Sequence, residues 1–335
     1  MGFEVIIAAT GKGKLLLQEH FKKIQVVDIV SYNIRYSKHK YLLAFKLLMQ
    51  VPKILNVIRQ EHKWLQKFVE NEKIDLVISD NRYGLYTQKV PCIFITHQLL
   101  IKVPNTWLEA LLQKINYRYI NKFSACWVPD YTNYDQSIAG KLSHPCKLPY
   151  IPVHYIGLLN RFSQFENPLN NNIQYQYCFL ISGPEPQRTL FEKKVLSVLP
   201  HLNGKAVVVL GKPGEHCSYV LGNAVVYNHL PPQQLQQIIQ ASALVICRSG
   251  YTTIMELVSL QKKMLLIPTP GQTEQEYLAR YLHAKNFCYS TTQKKFTVKD
   301  CFNAYAKTYE CINTANLSSL YQTVVASLQQ INVGE

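Results

Sequence analysis

No stretch of the 335-residue sequence approaches the ~18 uninterrupted apolar residues that a membrane-spanning helix requires, and its opening lacks the charged-then-apolar order of a secretory leader. A membrane, if the chain meets one, is met from the side. The nine cysteines include no Cys-x-x-Cys pair, and the ten histidines form no cluster at metal-ligand spacing, so the common zinc frameworks are excluded and no metal is expected. Cys92, Cys126, Cys178 and Cys247 sit in apolar runs, where a thiol packs as a small hydrophobe. This usage fits a reduced, cytoplasmic compartment, with peripheral attachment to the inner face of the cytoplasmic membrane as a further option. Internal repeats of ~20–50 residues are absent, and so is any recognisable base-reading module, which leaves nucleic acid outside the expected partners. Acidic residues are scarce: 21 Asp and Glu stand against 36 Lys and Arg, for a formal net charge of +15. Residues 1–150 hold 21 of the basic and 11 of the acidic residues. A first half so charged attracts a membrane surface, a phosphorylated substrate or another anion, although a solvated lysine-rich surface explains the charge as well.

What is present is a rhythm. Short apolar runs rich in β-branched residues, at 4–7, 75–78, 92–95 and 125–128, alternate with long helical patterns at 41–71 and 106–122. The rhythm stops after Gly157, and 158–175 is rich in Asn and Gln with little periodicity, including Asn170-Asn-Asn172. It restarts with strand candidates at 177–181, 206–210, 224–227, 243–247, 264–267 and 287–289. The expectation is α/β: two consecutive doubly wound domains, 1–157 and 176–335, joined by a linker at 158–175, with the last helix able to cross back to the first domain. In such sheets ligands sit at the carboxyl ends of strands, so the residues just after each strand deserve scrutiny.

Three such loops in the second half carry chemistry. Ser182-Gly183 opens a tight turn, and Arg188 falls in the first turn of the helix that follows; free N–H groups and a guanidinium suit an anion, while an ordinary turn with Pro at the helix start is the other reading. Arg248-Ser249-Gly250 with Thr252 follows an apolar run and opens a helix, a plausible diphosphate cradle. Glu256 lies four residues past Thr252 on the same helical face, placed to accept from a vicinal diol; it also completes a capping box with Thr253. The third loop brings Gln272, Glu274 and Gln275 to a helix start, a mixture of amides and carboxylates suited to sugar hydroxyls, or simply acidic residues favoured by the helix dipole.

Residues 244–282 resemble the donor-site segment of family 28 glycosyltransferases, through Arg248-Ser-Gly250, Glu256 seven residues after Ser249, Pro268, and Gln275 with its acidic flank. The best-known activity of that family is transfer of N-acetylglucosamine onto the lipid-linked peptidoglycan precursor. The resemblance implies the GT-B architecture of two facing Rossmann-like domains. It further implies a UDP-linked sugar donor, inverting transfer to a glycan or lipid-linked acceptor, and no cofactor. By it Glu256 would bind ribose hydroxyls, Ser249 and Gly250 the diphosphate, Gln275 the transferred sugar, and the backbone around Leu230 the base. A non-catalytic nucleotide-sugar-binding subunit and a sugar-nucleotide epimerase remain as alternatives.

In the first half, Asp80 and His97 each follow a strand. His97 is the candidate general base by chain position, with a bond inside its own loop as the alternative; Asp80 is a second candidate, with pairing to Arg82 as its alternative. Members of the family open with a strand, a glycine-rich loop containing His, and a helix. This sequence opens instead with what resembles the next strand, so about one βα unit is expected to be missing, to be supplied by a longer chain or by a partner subunit. Segments 41–68 and 101–123 mix Trp64 and Trp107 with Lys114, Arg118 and Lys122, which suits a face resting on anionic lipid or helical core packing with a solvated outer face.

Overall fold

The computed structural model describes residues 3–32, 40–103, 105–165, 172–212, 217–310, 312 and 317–331. Met1, Gly2, Asn170 and Asn171, all of which enter the sequence reading, lie outside that set. β1 (Ile6–Ala9) and β2 (Gln25–Asp28) pair in parallel across α1 (Gly11–His20). The long α2 (Lys40–Glu72) then leads into four parallel strands in sequential order: β3 (Val77–Asp80), β4 (Cys92–Ile95), β5 (Ala125–Val128) and β6 (Val153–Tyr155). Helix α3 (Thr106–Ile120) crosses between β4 and β5. The β1–β2 pair is a separate sheet, held to this half because Ile29 and Ala8 share a core with Leu65, Val69, Phe94 and Ile120.

The second half is one seven-stranded sheet. Its strands are β7 (Tyr175–Leu180), β8 (Ala206–Val209), β9 (Ser218–Leu221), β10 (Ala224–Tyr227), β11 (Ser242–Cys247), β12 (Lys263–Leu266) and β13 (Tyr289–Ser290). Their spatial order is β13-β12-β11-β7-β8-β10-β9, all parallel except the edge strand β9. Helices α4 (Gln187–Val198), α5 (Pro232–Gln240), α6 (Tyr251–Ser259), α7 (Thr273–Ala284) and α8 (Val298–Ala306) cover both faces. That is why β8 and β11 read as unbroken apolar runs rather than alternating ones. Successive residues still part company: Val207 and Val245 enter one core, Val208 and Ile246 the opposite one.

The chain winds outward from β7 through β8 to β10, then returns to β11 on the other side of β7. The topological switch point therefore falls between β7 and β11, and the turns after these strands flank its crevice. The first half faces that end. Tyr251 Oη donates to the Pro129 carbonyl at 2.5 Å, Tyr281 Oη to the Ser137 carbonyl at 3.0 Å, and the Lys141 amide donates to Tyr277 Oη at 2.8 Å. Helix α9 (Leu317–Gln330) lies on the far face of the first sheet, where Trp127 Nε1 donates to Ser327 Oγ at 2.8 Å and Leu328 is buried with Ile93 and Ile156. The aperiodic stretch after Gly157 includes a single turn at Arg161–Gln164, anchored because Phe162 is buried in the second-half core.

Candidate active site

Between the halves lies a cleft of about 850 Å³. Asp80, Asn81, Thr96 and His97 wall it on one side; Tyr251, Thr252, Thr253, Met255 and Glu256 of α6 wall it on the other, and Asn160 and Arg161 close the back. Of the residues singled out from sequence, Asp80, His97, Thr252 and Glu256 thus meet in one space. Asn81 and Thr96 come with the post-strand loops of Asp80 and His97, while Arg161 and Tyr251 join them without having been read as site residues; Arg161 in particular sits in a segment that offered no periodicity.

Helix α6 starts in the crevice with an open end. Its N-cap is Gly250, with extended dihedrals (φ −73°, ψ 136°) and no side-chain cap, so the first-turn N–H groups receive no side-chain acceptor. A Cβ built on Gly250 would meet nothing within 4 Å. The capping-box reading of Glu256 is therefore corrected: the helix begins at Tyr251, and Glu256 stands well inside it. Its carboxylate is only 4% exposed and is gripped by the Arg161 guanidinium, Nε at 2.7 Å from Oε1 and Nη2 at 3.3 Å from Oε2. Burial raises the Glu256 pKa, and Arg161 opposes that rise.

Two arginines leave the set of anion binders. Arg248 is 1% exposed and turned into the protein. Its guanidinium donates to the carbonyls of Ile267, Pro268 and Gln187 and to Gln293 Oε1, and it lies 4.2 Å over the Phe191 ring. Burial without a carboxylate partner pushes its pKa down to about 10. It ties three loops together rather than facing the cleft. Arg188 is consumed by Glu185 at 2.6 Å and Glu192 at 2.7 Å, with further bonds to the Leu210 carbonyl and Thr189 Oγ1. Asp80 and Arg82 do not pair either, because Arg82 Nε donates to the buried Glu61 at 2.7 Å. Asp80 is left facing the cleft, its pKa raised by the surrounding protein and lowered by His97.

The remaining donor-side candidates lie in the segments that follow strands of the second sheet, outside the lining of the cleft. Ser249 is buried and its hydroxyl donates to the Gln275 carbonyl at 2.8 Å; Gln275 Oε1 accepts from the Thr269 amide at 2.9 Å. Gln272 is the N-cap of α7. Ser182 and Gly183 are exposed in the turn after β7; Gly183 has φ +110°, and a Cβ there would stand 3.9 Å from Thr269 Oγ1. Arg248 Nε, Gln187 Oε1 and Thr269 Oγ1, buried beneath this turn, make no hydrogen bond. Leu230 is buried just before α5.

His97 bonds across the cleft and, at 3.4 Å, also to the Gln98 side-chain amide of its own loop. Its Nε2 lies 2.8 Å from Glu274 Oε1 on α7, and its ring stacks on Tyr251 with centroids 4.0 Å apart and planes 11° from parallel. Burial raises the Tyr251 hydroxyl pKa well above its ordinary value, so it stays a neutral donor to Pro129.

Residues 217–319 match the Glycosyltransferase family 28 C-terminal domain. No curated protein sequence matches the chain. Among solved structures, the spinosyn rhamnosyltransferase SpnG in complex with thymidine diphosphate superposes with a TM-score of 0.61 at 15% identity, covering 98% of this chain and 92% of that one. The calicheamicin glycosyltransferase CalG4 gives 0.61 at 11% identity, over 99% and 92%. The glycosyltransferase SnogD from Streptomyces nogalater gives 0.56 at 13%, over 98% and 88%. At such identities the likeness establishes the fold: α/β, GT-B, with two parallel-sheet Rossmann-like domains.

Proposed function

We propose that the protein is a glycosyltransferase that moves a hexosyl or N-acetylhexosaminyl group from a UDP-linked donor to a glycan or lipid-linked acceptor of the cell envelope. The observation that carries the reading is the pairing of an uncapped helix start, open above Gly250, with a buried carboxylate further along the same helix in the same cleft. An open N-terminus favours phosphate oxygens through its N–H groups and its dipole. A buried carboxylate that must surrender Arg161 is matched by a vicinal diol, which donates two hydrogen bonds to it. The ribose then displaces the guanidinium, which is left beside the diphosphate. Charge on the departing nucleotide is met by backbone N–H groups and Arg161, without a metal.

In this reading His97 is the general base. Glu274 holds its Nε2–H, which fixes the tautomer and leaves Nδ1 to take the acceptor proton. As the acceptor oxygen bonds to the anomeric carbon, the carbon–oxygen bond to the diphosphate breaks, its electron pair leaves with the nucleotide, and the anomeric configuration inverts. Asp80, protonated to higher pH than an ordinary carboxyl, is the second group within the same cleft.

Calorimetric titration with UDP tests the donor side. Replacing Glu256 by Ala removes a charged hydrogen-bond acceptor worth about 1.5–3 kcal/mol, so affinity falls roughly 10- to 100-fold. Equal affinity would take Glu256 out of the site. Release of UDP from UDP-sugar in the presence of acceptor separates a transferase from a binding subunit, and analysis of the sugar without acceptor separates it from an epimerase.

A further inference from the structure

A second recess, of about 280 Å³, opens in the second half and shares no lining residue with the cleft. Its walls are Leu190 and Lys194, one turn apart on α4, Pro270 in the turn after β12, and Gln293 and Lys294 in the stretch between β13 and α8. All three segments leave the carboxyl ends of parallel strands, where sheets of this kind take ligands. Ligand sites run to ~300–1,000 Å³, so this one suits a ligand of few atoms.

The polar side chains on these walls are donors only. Gln293 Oε1 is engaged inside the protein, where it accepts from Arg248 Nη2 at 2.6 Å. Only the oxygen of an amide can accept from a guanidinium, so this bond fixes the side chain and leaves the two Nε2 donors to the recess. Lys194 and Lys294 add ammonium groups, and among the described ion pairs none involves either of them. The acids of the adjoining helices are engaged elsewhere: Glu192 takes Arg188 and Lys212, and Asp300 closes the capping box of α8 with Thr297. Behind Gln293 stands a further cation without a counter-charge. Arg248 meets three carbonyls and an amide oxygen but no carboxylate, and its buried Nε makes no hydrogen bond. Its Nη2 donates to the Gln187 carbonyl of α4 as well as to Gln293, so one guanidinium ties two walls of the recess together.

A neutral polar ligand needs acceptors as well as donors, whereas an anion is all acceptor. Two ammonium groups match a dianion better than a lone carboxylate, which points to phosphate. Leu190 and Pro270, both exposed, offer apolar surface that inorganic phosphate cannot use. We propose that this recess binds a small phosphate monoester, with Lys194, Lys294 and the Gln293 amide on the phosphate oxygens and Leu190 and Pro270 against a short carbon chain. The site does not rest on the activity proposed above, since it lies outside the cleft and its ligand is neither donor nor acceptor.

The test is calorimetric titration of the full chain with glycerol 3-phosphate at constant ionic strength in chloride, beside inorganic phosphate and glycerol. Wild type is expected to bind glycerol 3-phosphate saturably, inorganic phosphate more weakly and glycerol not at all. Gln293→Glu keeps an acceptor for Arg248 and gives it a charge partner, so the melting temperature does not fall, yet the recess loses its amide donors and gains a negative charge. Its affinity for glycerol 3-phosphate should drop at least ~10-fold, as should that of Lys194→Ala/Lys294→Ala, which serves if Gln293→Glu does not fold. Lys193→Ala/Lys205→Ala, which removes two exposed charges from the same domain, retains it. Equal affinity in the recess variants, binding of glycerol alone, or inorganic phosphate binding as tightly as the ester would each overturn the proposal. So would binding lost in Gly250→Val and kept in Gln293→Glu, which would place the anion at the start of α6. A chain that fails to bind UDP speaks against the donor reading only, because the recess variants still decide this one.

Discussion

At the scale of the residue, Glu256 stands at some cost to the fold. Burial raises its pKa above the unfolded value of about 4.3, and the opposing pull of Arg161 does not cancel the rise. Folding therefore favours its protonated form: the contribution is fully present below the unfolded value and is lost as pH rises through the folded one. Glu256→Gln has no such proton to lose. The melting temperatures of variant and wild type should lie close together near pH ~4 and diverge in favour of the variant toward pH ~7, while the variant binds UDP more weakly. Melts across that range check it; a variant losing ground toward neutrality would mean that the ion pair stabilises the fold outright. The position of Glu256 in the cleft was legible because helix spacing alone puts it on the face of Thr252. Its partner was not, since Arg161 lies 95 residues away in an aperiodic stretch. Arg248 shows the same limit: its acceptors lie 19, 20, 45 and 61 residues distant, and only the packed loops bring them to one guanidinium. Arg188 differs, because Glu185 and Glu192 sit at i−3 and i+4, a spacing that the sequence displays.

At the scale of the element, the start of α6 allows a structural role for a glycine to be told apart from a ligand-binding one. Gly250 has ordinary extended dihedrals, and the space above it is open, so nothing in the fold demands glycine there. Gly250→Val should leave stability within about 0.5 kcal/mol of wild type, as surface substitutions usually do, and yet weaken UDP binding by placing two methyl groups where phosphate oxygens would approach. Parallel melts and titrations test this, and unchanged affinity would move the diphosphate away from α6. Elements whose apolar runs are bounded by turn residues were legible in place: 92–95, 125–128 and 224–227 coincide with β4, β5 and β10. Runs read as beginning on an acid, 4–7 and 75–78, slid two residues onward to β1 and β3, because Glu4 and Asp75 belong to the approach and not to the ladder. The edge strand β9 was passed over although Gly222-Asn223 between two apolar runs signals a hairpin. The separation of β1–β2 from the four-stranded sheet leaves no mark in local pattern, since strand pairing is decided by packing between distant segments.

At the scale of the molecule, the described residues close the chain on itself at two places. One is the cleft, where the Tyr251, Tyr277 and Tyr281 hydroxyls and the His97–Glu274 pair join the halves. The other is α9, which belongs to the end of the chain and covers the first sheet. Ile93, Trp127 and Ile156 would face water without it, and Leu328, 4% exposed, fills the contact. The two closures should act on different cooperative units. Leu328→Ala removes a buried side chain at a cost of about 2–5 kcal/mol, borne first by the sheet against which it packs. Amide exchange should therefore accelerate in β4 and β5, while β11 and β12, whose cores do not contain Leu328, keep their protection. Uniform acceleration throughout would show that the halves unfold as one unit, with the cleft contacts as the dominant link. UDP titration adds a further reading. If the donor sits on α6, Leu328→Ala should leave its affinity nearly unchanged, since no element of the second sheet rests on Leu328.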